Sequence, residues 1–209
     1  MTRTGRPRSF DRDTALEQAM QVFWARGYEA ASLALLKDAM GGISSPSFYA
    51  AFGSKEALFE EVLQCYLATH GQVMAPLYQP GLDPRAAVER ALHATARMQT
   101  DSGHPLGCLL NVAATTTPDE VETAQALLAG DRAATRAGFI ECARRAVSNG
   151  QLPATSDAQA IGVMLDTFMR GLTAQARDGV PRAQMDAAID ALLAPWKKTT
   201  PRRGSPGPS

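Results

Sequence analysis

Apolar side chains recur at helical spacing along most of this chain, and the breaks in that rhythm fall at glycine, proline and serine. Ala15, Ala19, Val22 and Phe23 mark one face of a first helix that begins near Asp11 or Asp13. Gly27 stands where a helix commonly ends. Ser32 is placed to cap a second, short helix carrying Leu33, Leu36 and Met40, which Gly41-Gly42 ends. Ser44-Ser45-Pro46 opens a third short helix with Phe48, Tyr49 and Phe52; Pro46 falls in the first turn, where its missing N–H costs nothing. Ser54 then caps a long helix predicted from Lys55 to Leu77. Pro76, Pro80-Gly81 and Asp83-Pro84 mark a boundary.

Further helices are predicted over Pro84–Thr100, Leu106–Thr115 and Asp119–Ser148. Two more run from Ser156 or Asp157 to Arg177 and from Arg182 to Ala194, joined by the tight Gly179–Pro181 connection. No stretch alternates apolar and polar residues as a half-buried strand does. The expected fold class is all-α.

Composition sharpens this picture. Hydrophobic residues are 45% of the 209, enough for a sizeable core, while aromatics are 6% and helix formers dominate. Lys plus Arg and Asp plus Glu are 21 each, so bulk charge cannot coat DNA or a membrane, although a local basic patch can form. The two ends are basic. Residues 1–9, with Arg3, Arg6 and Arg8, read as a flexible basic arm, and residues 197–209, rich in Pro, Gly, Ser and basic side chains, as a disordered tail. Cys65, Cys108 and Cys142 form no C-x-x-C pair, which argues against a zinc centre or disulfide framework and for a reducing cytosol. No signal peptide and no membrane-spanning run is visible, so the expected location is cytoplasmic.

Three short helices with glycine-marked turns before residue 55 suggest a helix-turn-helix, whose second crossing helix enters the major groove. That recognition helix would be Ser45 to Phe52, with the small Ser45, Ser47, Ala50 and Ala51 allowing close approach to base edges. Tyr49 offers a hydroxyl to a phosphate, and Lys55 offers charge at a helix start. The residues expected to meet DNA are Ser32, Ser45, Pro46, Ser47, Tyr49, Ala50 and Lys55, joined by Arg6 and Arg8 from the arm.

At these residues the chain resembles the TetR family of transcriptional regulators. Phe23 through Gly27-Tyr28 matches the Phe-x-x-x-Gly-Tyr that ends the family's first helix. Phe48-Tyr49-Ala50-Ala51-Phe52 and Lys55-Glu56-Ala57-Leu58 match its Leu-Tyr-x-x-Phe and Lys-Glu-x-Leu. Gly41-Gly42 makes the turn one residue longer than the family's, Ala31 stands where Thr is common, and Lys37 replaces a small residue. The resemblance implies a helix-turn-helix domain over residues 10–62 and a helical regulatory and dimerisation domain over 63–196. It implies a homodimer on a palindromic double-stranded operator, acting as a repressor released by a small-molecule effector, with no cofactor and no catalysis.

Two rivals weigh less. A di-iron helical bundle needs paired Glu-x-x-His motifs, and this chain has none; Glu89 and His93 are one turn apart without a second copy, so no metal site is expected. A helical interaction protein without DNA binding would not need Tyr49 and Lys55. The effector pocket is expected among Tyr66, His70, Met74, Met98, Cys108, Asn111 and Phe168, several of which read equally well as core. The dimer interface is expected from Met164, Leu165, Phe168 and Leu172 on one helix and Met185, Ile189 and Leu192 on the last; the competing reading packs both stripes into the protomer's own core. Cys108 has two readings as well. A helix start and the nearby His104 would lower its pKa and make it an electrophile sensor. A small buried core residue is the reading favoured, since free cysteines are among the most buried types.

Overall fold

In the computed structural model, which describes residues 11–119 and 121–196, every regular element among those residues is helical. Side-chain caps explain the starts. Asp11 accepts from the amides of Asp13 and Thr14 and opens α1 (Arg12–Ala30). Ser32 accepts from Leu35 N–H to open α2 (Leu33–Ala39), and Ser44 from Ser47 N–H to open α3 (Ser45–Phe52). Ser54 accepts from Ala57 N–H to open α4 (Lys55–Ala68). Each bond satisfies one of the amides that a helix start leaves without a partner.

The long helix expected to reach Leu77 ends at Ala68. The Thr69 hydroxyl donates to the Cys65 carbonyl, and a 3-10 segment, His70–Tyr78, follows with Pro76 inside it. Proline cannot donate the bond that an α-helix would require there. The chain continues through α5 (Pro84–Gln99), α6 (Leu109–Thr116), α7 (Glu122–Ser148), α8 (Ala158–Arg177) and α9 (Arg182–Leu193). α6 starts later than the expected Leu106, because Gly107 adopts φ 89° just ahead of it. α8 ends in a Schellman turn: Val180 N–H bonds to the Gln175 carbonyl and Gly179 N–H to that of Ala176.

Contacts group the chain into two compact units, and these do not follow chain order. One holds the described residues up to Gln72 together with Asp101–Asp131; the other holds Val73–Thr100 and Arg132 onward. A single cut near residue 62 therefore does not describe the packing, because α6 and its flanking loops pack with α1 and α4.

In the first unit, Phe23, Trp24, Leu36, Phe48, Leu58, Phe59 and Tyr66 are fully enclosed. α1 breaks helical geometry at Gly27 (φ 77°, ψ 176°), a conformation open essentially to glycine alone. α6 comes close at this point: a Cβ added to Gly27 would lie 2.5 Å from Thr116 Oγ1. The same hydroxyl accepts from Tyr28 N–H at 3.2 Å and donates to the Val112 carbonyl at 3.0 Å.

In the second unit, Val88, Leu92, Phe139, Leu165, Leu172 and Ile189 join one core. A Cβ on Gly162 would fall 2.6 Å from Ile140 Cα, so α7 and α8 meet backbone to side-chain-free backbone. The buried Asp166 carboxylate is matched by Arg170 at 2.6 Å and Arg136 at 3.3 Å, as a buried charge requires.

Candidate nucleic-acid interface

α3 is anchored from one side and open on the other. Phe48 and Phe52, one turn apart, are buried, while Pro46, Ser47, Tyr49 and Ala50 are exposed. Tyr49 has 52% of its surface free, a large exposure for an aromatic side chain with no buried purpose. Ser45 is half-buried and accepts from Lys37 Nζ at 2.7 Å. The lysine that replaces a small residue in α2 thus ties α2 to the start of α3. Ser47 Oγ lies 2.9 Å from the capping Ser44 hydroxyl.

Between α2 and α3 both Gly41 and Gly42 take positive φ (84° and 76°). The amides of Gly42 and Ile43 both reach back to the Lys37 carbonyl, so the longer turn closes on α2 and stays compact. The far end of α3 is held by Arg12. Its guanidinium donates to the Ala51 carbonyl at 3.3 Å, pairs with Glu61 at 2.7 Å and lies 4.8 Å from the centre of the Phe52 ring. The pair is solvent-exposed, so its role is orientation more than energy.

Lys55 opens α4 with its ammonium 4.3 Å from the Tyr28 ring centre. Burial draws its pKa down, and Glu56 and Glu29 act the other way. The Tyr28 hydroxyl donates to Glu56 at 2.9 Å. Burial and this carboxylate push the phenol up, while backbone and Ser54 hydrogen bonds, with Tyr28, hold Glu56 below the usual range. Ser32 is exposed, with its oxygen committed to the cap of α2. Arg6 and Arg8, like the rest of the arm and the tail 197–209, lie outside the described residues.

The expected pocket residues divide between the two units. Tyr66, His70, Cys108 and Asn111 belong to the first, and the first three gather with a residue that sequence reasoning passed over, Trp24. Trp24 stacks on His104 at 4.2 Å, meets Tyr66 and His70 edge-on at 4.9 and 5.0 Å, and donates to the Gly107 carbonyl at 3.2 Å. Nothing local in the sequence marks Trp24, because its partners lie far along the chain, Gly107 83 residues away. Met74, Met98 and Phe168 belong to the second unit, where Met74 and Phe168 pack against the core.

Cys108 is the residue before α6, not within it. It accepts a bond from the Tyr66 hydroxyl at 3.3 Å. Burial pushes its thiol up, outweighing the hydroxyl and the amides of Asn111 and Leu110, so the lowered pKa that a sensor would need is not found. His104, which might have lowered it, is stacked on Trp24.

Four of the residues expected at the dimer interface pack in the protomer's own core. Leu165, Leu172, Met185 and Ile189 are buried in the second unit's core. A stripe on each helix faces inward, and Leu172 and Met185 at its edge also line the groove between α8 and α9. Met164, at 46% exposed, stays open, and Phe168 and Leu192 are half-buried. Phe168, Gly171, Gln175, Gln184 and Ala188 line a groove of about 380 Å³ between α8 and α9.

Residues 15–62, which carry all of α2 and α3, match the family model of bacterial regulatory proteins, tetR family. The chain is 33% identical over 199 residues to the HTH-type transcriptional repressor ComR of Escherichia coli (strain K12), covering 92% of this chain and 91% of that protein. The chain belongs to the TetR family. The HTH-type transcriptional repressor BdcR, also of E. coli K12, is 35% identical over 106 residues, about half of each chain. Among solved structures, a cysteine mutant of the TetR family transcriptional regulator CifR, complexed with 26 bp double-strand operator DNA, is 42% identical with a TM-score of 0.79, over 92% of this chain and 100% of that one. The TetR chain described here is accordingly a DNA-binding transcriptional regulator and not an enzyme. No helix among the described residues is long and apolar enough to cross a membrane.

Proposed function

We propose that this TetR chain is a cytoplasmic repressor that binds a palindromic operator as a homodimer and leaves it when a small-molecule effector binds. The observation that carries the DNA reading is the open face of α3. Buried Phe48 and Phe52 fix the helix, and Pro46, Ser47, Tyr49 and Ala50 are left free for the groove. Ser45 and Ser32 flank this face, Tyr49 and Lys55 contribute phosphate contacts, and Arg6 and Arg8 of the arm add charge. The operator complex of the CifR mutant supports this reading. Met164, Phe168 and Leu192 face the second protomer across α8 and α9. The effector binds among the helices after residue 55, where the candidate residues are Tyr66, His70, Cys108 and Asn111 in the first unit and Met74, Met98 and Phe168 in the second.

The experiment is a fluorescence-anisotropy titration of the full chain against DNA flanking its own gene. Tyr49→Ala and Lys55→Ala are each expected to weaken binding about tenfold, one phosphate hydrogen bond being worth about 1–2 kcal/mol. Lys55→Ala also reduces the slope of log K against log salt by about one ion. Full-strength binding by the double variant, with helicity intact, refutes the assignment of α3 and the start of α4 as the DNA-reading surface.

A further inference from the structure

The Glu89–His93 pair on α5 has no second copy in the sequence, but the fold completes it from α9. Asp186 and Asp190, also one turn apart, face it across the helix pair. His93 Nδ1 lies 2.7 Å from Asp186 Oδ1, and Nε2 lies 3.2 Å from Asp190 Oδ1. One ligand atom each from Glu89, His93 and Asp190 fall within 4.8 Å of one another. All four residues belong to the second unit.

The charges around the cluster are uneven. Arg85 neutralises Glu89 at 2.9 Å, and Arg182 reaches Asp186 at 3.5 Å. Asp190 pairs with no arginine or lysine among the described residues; it faces the imidazole alone. When Nδ1–H donates to Asp186, the tautomer is set and Nε2 presents a lone pair to a carboxylate oxygen. A carboxylate on the far nitrogen of a histidine is the arrangement that orients imidazole ligands on metals.

We propose that Glu89, His93 and Asp190 bind a zinc-class divalent ion, with Asp186 positioning His93. One imidazole and two carboxylates suit zinc, whereas magnesium and calcium favour six or more oxygens. Ligands about 2.0–2.2 Å from zinc stand about 3.5 Å apart in a tetrahedron; His93 Nε2 and Asp190 Oδ1, at 3.2 Å, open slightly, and no ligand atom starts more than 4.8 Å from another. The half-buried Glu89 and the exposed Asp190 have room for that movement. Three protein ligands leave a fourth position to water, which makes the ion exchangeable. Its place between α5 and α9 makes it a clip on the helix that carries Leu192. The proposal does not depend on the DNA reading.

The test uses the full chain, freed of metal with EDTA and dialysed. Zn2+ is titrated against a chromophoric chelator, Co2+ is followed by its visible absorption, and Mg2+ serves as competitor. Expected are one zinc per protomer, Co2+ bands of a four-coordinate N/O site without thiolate charge transfer, and no competition by Mg2+. Asp190→Asn and His93→Gln each lose at least about tenfold in zinc affinity, and Asp186→Asn loses about 10–100-fold, while circular dichroism shows each variant folded. Two results overturn the proposal. The first is no zinc uptake at 100 μM (roughly the weakest affinity that would still count as a site), which leaves His93 a hydrogen-bonded link between α5 and α9. The second is uptake that the variants leave unchanged, which places the ion elsewhere.

Discussion

Replacing Gly27 by alanine tests whether the close approach of α1 and α6 organises the DNA-reading unit. The new Cβ would sit 2.5 Å from Thr116 Oγ1 and 2.8 Å from both Thr116 Cβ and Cγ2. It would also force a side chain onto a backbone at φ 77°, ψ 176°. Holding alanine in that region costs about 1–3 kcal/mol, and overpacking adds about 1–3 kcal/mol. If Thr116 moves aside, its bond from Tyr28 N–H is lost at about 1 kcal/mol. The expected loss is about 3–7 kcal/mol, a large share of the roughly 5–15 kcal/mol that holds a protein folded. The assay is urea unfolding by circular dichroism, with all variants at one protein concentration because dimerisation shifts apparent stability. Thr116→Gly removes all three clashing atoms and by itself costs roughly a few tenths of a kcal/mol of helix propensity plus about 1 kcal/mol for the lost bond from Tyr28 N–H. In that background Gly27→Ala should cost only its backbone strain, leaving a coupling of about 2 kcal/mol between the two sites. A loss below about 1 kcal/mol in the wild-type background, or an equal loss in both backgrounds, refutes the close approach as the reason for glycine.

Other consequences are simpler to check. Because Tyr28 is raised by burial and by Glu56, its stabilisation is present below the ordinary phenol pKa near 10 and is lost as pH climbs beyond it. Tyr28→Phe should therefore flatten the alkaline fall of the unfolding midpoint, and an unchanged alkaline limb counts against the Tyr28–Glu56 contact. The raised Cys108 thiol should be alkylated by iodoacetamide slowly at pH 7 and faster above pH 9, followed by mass spectrometry; rapid labelling at neutral pH contradicts the raised pKa. Met164→Asp, on the open side of α8, should shift the proposed dimer toward monomer by light scattering without changing helicity, whereas Leu165→Asp should unfold the second unit; a wild-type dimer in Met164→Asp removes Met164 from the interface.

What the sequence could show was local. Ser32, Ser44 and Ser54 each bond an amide three residues on, so the three helix starts follow from residue type and spacing alone. The α3 face was legible for the same reason, since Phe48 and Phe52 must turn one way and Tyr49 and Ala50 another. Long-range partners left no such mark. The Trp24 bond to Gly107 and the Glu89–His93 encounter with α9 join segments separated by 83 and 93 or more residues. The overlong α4 came from apolar periodicity that continues past Thr69 into the 3-10 segment. On α8 a single apolar stripe cannot say whether it meets the protomer's own core or a neighbour, because both environments reward the same side chains; Leu165 and Leu172 went inward and Met164 did not.

The interleaving of the two units has a consequence for how the protein is made. The ribosome releases the family's DNA-reading helices first, yet the unit that contains them lacks residues 101–131 until they too are translated. At about 5–20 residues per second, the stretch from Gln72 to Asp131 takes on the order of 3–12 s. During that interval Trp24 and Tyr66 have neither Gly107 nor Cys108 to meet, and the apolar face of α1 that α6 will cover is bare. The nascent chain thus carries an unfinished hydrophobic surface through the middle of its synthesis. A fragment ending after α4 inherits that surface permanently and should be held by chaperones or aggregate, while one extended through α6 should stay in solution.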